Sequence, residues 1–143
     1  MSLRALAVLA AALLPILPAA AHHSFAALFD GEKQVTVTGT VTEVEWTNPH
    51  IHFTMDVQGE DGAVTHWRFE GYPPNMLVRQ GWKRNETLKP GDKVTVFGWG
   101  ARADPHFGMA RFVTLGDGTQ MTAGPPAGTG GRGDYRAAGG SEE

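Results

Sequence analysis

His50 to Glu70 reads HIHFTMDVQGEDGAVTHWRFE, and its alternation decides the fold. Ile51, Phe53, Met55 and Val57 fall on one face, with His50, His52, Thr54 and Asp56 on the other. After the break, Thr65, Trp67 and Phe69 oppose His66, Arg68 and Glu70. A strict period of two marks half-buried strands. Between them, Glu60-Asp61-Gly62 suits a three-residue hairpin loop with Gly62 left-handed. Such a loop pairs Gly59 with Ala63, and therefore Val57 with Thr65, Met55 with Trp67 and Phe53 with Phe69. The polar face then pairs Asp56 with His66, Thr54 with Arg68 and His52 with Glu70. A two-residue loop would set His66 and Arg68 among the apolar groups, and the pattern rejects it.

Upstream, Gln34 to Trp46 (QVTVTGTVTEVEW) alternates through Val35, Val37, Gly39 and Val41, then changes phase to Val44 and Trp46. A phase change inside a β-branched run predicts one long bent strand with a bulge near Thr42-Glu43. Downstream, Asn75 could cap a short helix that Gly81 stops. Lys93–Trp99 and Gly108–Leu115 follow as strands, and Gly116-Asp117-Gly118 turns into a short last one. This order predicts an all-β fold, an OB-like barrel of five to six strands with one short helix. A small β-sandwich is the alternative. Trp67 falls on the core face, while Trp46, Trp82 and Trp99 sit at element ends, where core or rim packing is expected.

The ends of the chain read differently. Met1–Ala21 carries Arg4, an apolar run from Ala5 to Leu17 and a Pro18-Ala19-Ala20-Ala21 end, the pattern of a secretory signal peptide. The run falls short of the roughly 20 residues a membrane span takes. Cleavage before His22 is expected, with cleavage before Ala21 as the alternative. Residues 123–143 hold seven Gly and two Pro without apolar periodicity and read as a flexible tail. The expected division is therefore a signal over 1–21, one domain over 22–122 and a tail over 123–143. A periplasmic or secreted location follows, with no membrane contact after cleavage. The 143-residue chain has a formal charge of -3, which gives no basic face for sequence-independent nucleic-acid binding. It has no Cys, so disulfides, thiolate metal sites and a lipid-bearing Cys are excluded. Neither a Gly-x-Ser-x-Gly elbow nor a paired catalytic carboxylate set is present, which speaks against a hydrolase.

The six histidines carry the functional argument. If His22 becomes the first residue, its α-amine and ring nitrogen chelate one metal. A second imidazole from across the fold, His50, completes a flat three-nitrogen site that suits copper. This looks like the histidine brace of lytic polysaccharide monooxygenases and several periplasmic copper carriers. A start at Ala21 would instead put His22 second and His23 third, and a His in third position also binds Cu(II). His50 and His52 are two residues apart on a strand, so both rings point to one side about 6.5 to 7 Å apart. Glu70, opposite His52, could orient a ring. His106, with Met109, could offer a soft Cu(I) ligand. His66 faces Asp56 and reads as a surface pair. The metal candidates are thus His22, His50, His23, His52 and His106.

The segments His22-His23-Ser24-Phe25-Ala26, Val37-Thr38-Gly39-Thr40-Val41, Trp46-Thr47-Asn48-Pro49-His50, Gly81-Trp82 and Leu88-Lys89-Pro90-Gly91-Asp92 occur in this order. The chain resembles, over His22 to Thr122, a family of exported bacterial proteins described only as a domain of unknown function. That resemblance implies export and the domain limits, and no chemistry. The expected function is a periplasmic metal-binding protein for copper carriage, sequestration or delivery, with a periplasmic copper protein as its partner. The alternative is a non-enzymatic module that binds a small ligand, a glycan or a partner protein. A copper oxidase or monooxygenase would need the same brace plus a substrate surface, for which a domain of this size is small.

Overall fold

The computed structural model describes residues 25–126. Residues 1–24, which hold the expected signal segment, His22 and His23, and residues 127–143 lie outside the described residues. In chain order come α1 (Phe25–Leu28), β1 (Phe29–Glu45), β2 (His52–Gln58), β3 (Val64–Glu70), α2 (Pro74–Arg79), β4 (Lys93–Ala101), β5 (Phe107–Thr114) and β6 (Gln120–Thr122). The strands lie in the order β3-β2-β1-β4-β5-β6. All neighbours in that order are antiparallel, and β3 also pairs in parallel with β5. The circuit β1-β2-β3-β5-β4 therefore closes on itself, as an OB-like barrel requires.

The hairpin register follows from side-chain patterning. Phe53 pairs with Phe69, Met55 with Trp67 and Asp56 with His66, while the Gly59 amide donates to Ala63 across the loop. Gly62 takes φ +81°, the left-handed turn conformation for which a Cβ is costly. In β1, pairing with β2 skips a residue between Val41 and Glu43, a bulge that leaves Thr42 unpaired and re-aims the strand end. Ile51, Phe53, Met55, Phe69, Val41, Val96 and Val113 are almost wholly buried and form the centre of the core. Trp82 is buried there too, its indole donating to the Thr122 carbonyl at 2.8 Å.

Four differences from the sequence reading have physical causes. Helix α2 begins at Pro74 with Pro73 as its flanking residue, and no side chain caps it, so Asn75 lies inside. Proline at the first helical position has φ pre-set and no amide to leave unpaired. Helix α1 is a second helical piece, a single turn too short to show periodicity. Tertiary contacts hold it: Phe25 and Phe29 are buried with Trp99, Ala101 and Met109, and Arg102 Nε donates to the Ala26 carbonyl at 3.0 Å. Strand β1 begins five residues before Gln34, because its first residues pair back to Ala101 through an irregular stretch.

The fourth difference moves the domain boundary. The expected tail start at Ala123 does not hold for its first four residues. Ala123 is fully buried, its amide donates to Arg111 and its carbonyl accepts from Tyr72. Arg111 Nη1 donates to the Gly124 carbonyl at 2.6 Å, and Trp99 Nε1 donates to Pro125 at 3.2 Å. Small residues slot between strands where a larger one would collide, so low hydrophobicity here marks close packing. The packed domain runs to at least Pro126.

Candidate metal centre

The outer face of the hairpin and the end of β1 assemble the candidate site. His50 precedes β2 in the turn after the cis Asn48–Pro49 bond. Its neighbour Ile51 is buried and exchanges backbone hydrogen bonds with Gly71 and Tyr72, which fixes where the His50 ring emerges. His52 opens β2 opposite Glu70 on β3 and opposite Glu45 on β1. One-sided alternation then points His50, His52 and Glu70 to the same side of the sheet.

Glu70 sits between the two rings. Its Oε1 lies against His50 Nδ1, and its Oε2 is 3.6 Å from His52 Nε2. His50 Nδ1 is buried, and although Glu70 Oε1 lies against it, the pair does not meet hydrogen-bond geometry. The other nitrogen of His52, Nδ1, is 3.8 Å from Glu45 Oε2, and Arg68 Nη2 lies 3.8 Å from that same oxygen. Burial and the Arg68 charge together hold His52 below the usual histidine pKa, against the opposing pull of Glu70 and Glu45.

The remaining histidines separate. His66 Nδ1 meets Asp56 Oδ1 at 2.7 Å on an exposed part of the hairpin. His106 stands edge-on to the Trp67 ring, with centroids 5.4 Å apart, and its backbone carbonyl accepts from the Arg68 amide. Met109 is buried with Phe25, Phe29 and Trp99. The expected His106–Met109 pair is therefore not assembled: β-alternation sends Met109 under α1 while His106 stays in the preceding loop. His22 and His23 lie outside the described residues. Among the described residues, no group of three or more His, Asp and Glu side chains is arranged to hold a metal ion.

Glu45 and Arg68 escaped the sequence reading as members of this cluster. Glu45 reaches His52 only because the bulge at Thr42 shifts the register by one residue. Arg68 is turned by a second contact, its guanidinium 5.6 Å from the centre of the Phe107 ring on β5. Its strand position was legible, but a parallel neighbour some forty residues away was not.

Among the described residues, no helix is long and apolar enough to cross a membrane. The model of a family of unknown function (DUF6152) matches residues 9–110. No curated protein matches the chain. Among solved structures, the mitochondrial single-stranded DNA-binding protein Rim1 from S. cerevisiae is similar at 13% identity and a TM-score of 0.44. That match covers 58% of this chain and 92% of the other.

Proposed function

The chain belongs to this family of unknown function, so its chemistry has to be read from its own residues, and we propose that it is an exported copper-binding protein. Its role in this reading is copper carriage, sequestration or delivery to a periplasmic copper protein. The observation that carries the reading is the convergence of two imidazoles, His50 and His52, on the single carboxylate of Glu70. The described residues alone make an incomplete ligand set, and the amine and ring of His22 would supply further nitrogen donors. A nitrogen-rich site of that kind favours copper over other divalent ions. His23 is the reserve donor if cleavage falls before Ala21. His106 would have to be recruited from beside Trp67, which makes it the least economical choice.

Protein beginning at His22 should bind about one Cu(II) per chain, and more tightly than Zn(II), in competition titrations. Adding one Gly before His22 moves the amine off the histidine and should weaken binding strongly, as should His50→Ala. His66→Ala should leave it unchanged. Copper affinity indifferent to the added Gly would remove the brace.

A second reading, a module that binds a small ligand, a glycan or a partner protein, has one observation in its favour. Phe97 and Phe112 stack at 6.3 Å with both side chains half-buried, and the Arg111 guanidinium lies 4.6 Å from the centre of Phe112.

A further inference from the structure

We propose that Glu70 is a positioning residue that fixes which nitrogen of His50 faces a metal, and that His52 belongs to the supporting frame and is not a ligand. The inference rests on the copper-binding reading and assigns roles within the same site. A histidine presents a lone pair to a metal from one ring nitrogen, and a hydrogen bond at the other decides which. His50 Nδ1 is buried and makes no hydrogen bond that meets geometric criteria, but the polar atom beside it is Glu70 Oε1, which can only accept. A proton on Nδ1 is the arrangement that pairs the two, and it leaves the lone pair on Nε2 of a side chain that is 38% exposed. A free imidazole prefers the opposite tautomer, so the carboxylate has work to do here.

His52 is placed differently. Both of its nitrogens look at carboxylates, Nε2 at Glu70 and Nδ1 at Glu45, and the side chain is 22% exposed. The Arg68 guanidinium, 3.8 Å from the Glu45 oxygen, puts a positive charge on the side from which a cation would approach Nδ1. His52 thus braces the second oxygen of Glu70, which keeps the first aimed at His50. Glu70 is only 13% exposed, so few other orientations are open to it. Carboxylate partners of ligating histidines raise ligand basicity and hold the ring, and their loss costs about 10- to 100-fold in metal affinity.

The first test needs no metal. In long-range proton–nitrogen spectra of the metal-free protein, His50 should carry its proton on Nδ1, and Glu70→Ala should move it to Nε2. The same tautomer in both proteins would overturn the proposal. The second test is competition titration with Cu(II) alone. Glu70→Ala should weaken binding by about 10- to 100-fold, with Glu70→Gln, which keeps the volume and one acceptor, in between. His52→Ala should cost less than His50→Ala. Equal losses at His50 and His52, or no loss at Glu70, would overturn the assignment. A protein with the expected tautomers but no copper affinity would keep the positioning role and reject the copper reading. Glu70→Gln also serves if the alanine variant fails to fold.

Discussion

The Trp99 indole donates its hydrogen bond to the carbonyl of Pro125, 26 residues further along the chain. The contact ties the end of β4 to the segment that leaves β6, and it fixes how much of the C-terminal region the domain needs.

A chain ending at Thr122 should be clearly less stable than one ending at Pro126. It loses the buried Ala123 and the bonds to Tyr72, Arg111 and Trp99. At about 1 kcal/mol for each of these five hydrogen bonds the difference is on the order of 5 kcal/mol. Urea unfolding of the two chains measures it, and equal midpoints would refute the packed boundary.

Gly98→Ala should destabilise the barrel. Gly98 lies at a register shift between β4 and β5, and a Cβ there would collide with the Met109 carbonyl. Backbone cannot yield as a flexible side chain does, so a cost of about 1–3 kcal/mol is expected from overpacking. Thermal unfolding reads it directly. The φ +81° of Gly62 makes a different case, because a Cβ there meets open space and only the backbone conformation is strained.

Stability should rise with pH through the range just below the ordinary histidine pKa. His52 is harder to protonate in the folded chain, because burial and Arg68 outweigh Glu70 and Glu45. Between its lowered folded pKa and the ordinary histidine value of 6.5, the unfolded chain holds more protons. This contribution is full above that value and is lost as pH falls through the folded pKa. Glu70, Glu45 and Arg68 all act on this ring, so the informative comparison is wild type against His52→Gln by urea midpoint. An unaltered pH profile in the variant would place the dependence elsewhere.

Arg68→Gln should raise the His52 pKa, since it removes a positive charge that disfavours the imidazolium. Proton titration of the His52 ring by NMR measures the change. A pKa that stays or falls would mean that burial alone sets the ring's charge.

The hairpin and its polar face were legible because period-two alternation and a Gly-containing loop leave one register that buries every large apolar residue. His52 opposite Glu70 and His66 opposite Asp56 follow from that alone. The bulge near Thr42 was legible as a phase change, yet its consequence, Glu45 arriving beside His52, depends on how the next strand pairs. The contact of His50 with Glu70 comes from a turn and not from the ladder, so counting along strands could place only His52 opposite that carboxylate. α1 and residues 123–126 stayed hidden because neither has periodicity. Both are held by contacts with residues distant in sequence, Arg102 for one and Tyr72, Trp99 and Arg111 for the other.

One edge of β5 is shared between two partners: Phe107–Met109 lie against β3, and Phe112–Thr114 lie against β6. An open strand edge invites pairing with another molecule, and aggregation follows where it is long and apolar. Here a three-residue strand guards half of that edge. Fraying of β6 would bare the backbone of Phe112–Thr114 beside the half-buried rings of Phe97 and Phe112. A lesion around Thr122 should therefore betray itself first as clumping of the protein at high concentration, before any loss of secondary structure.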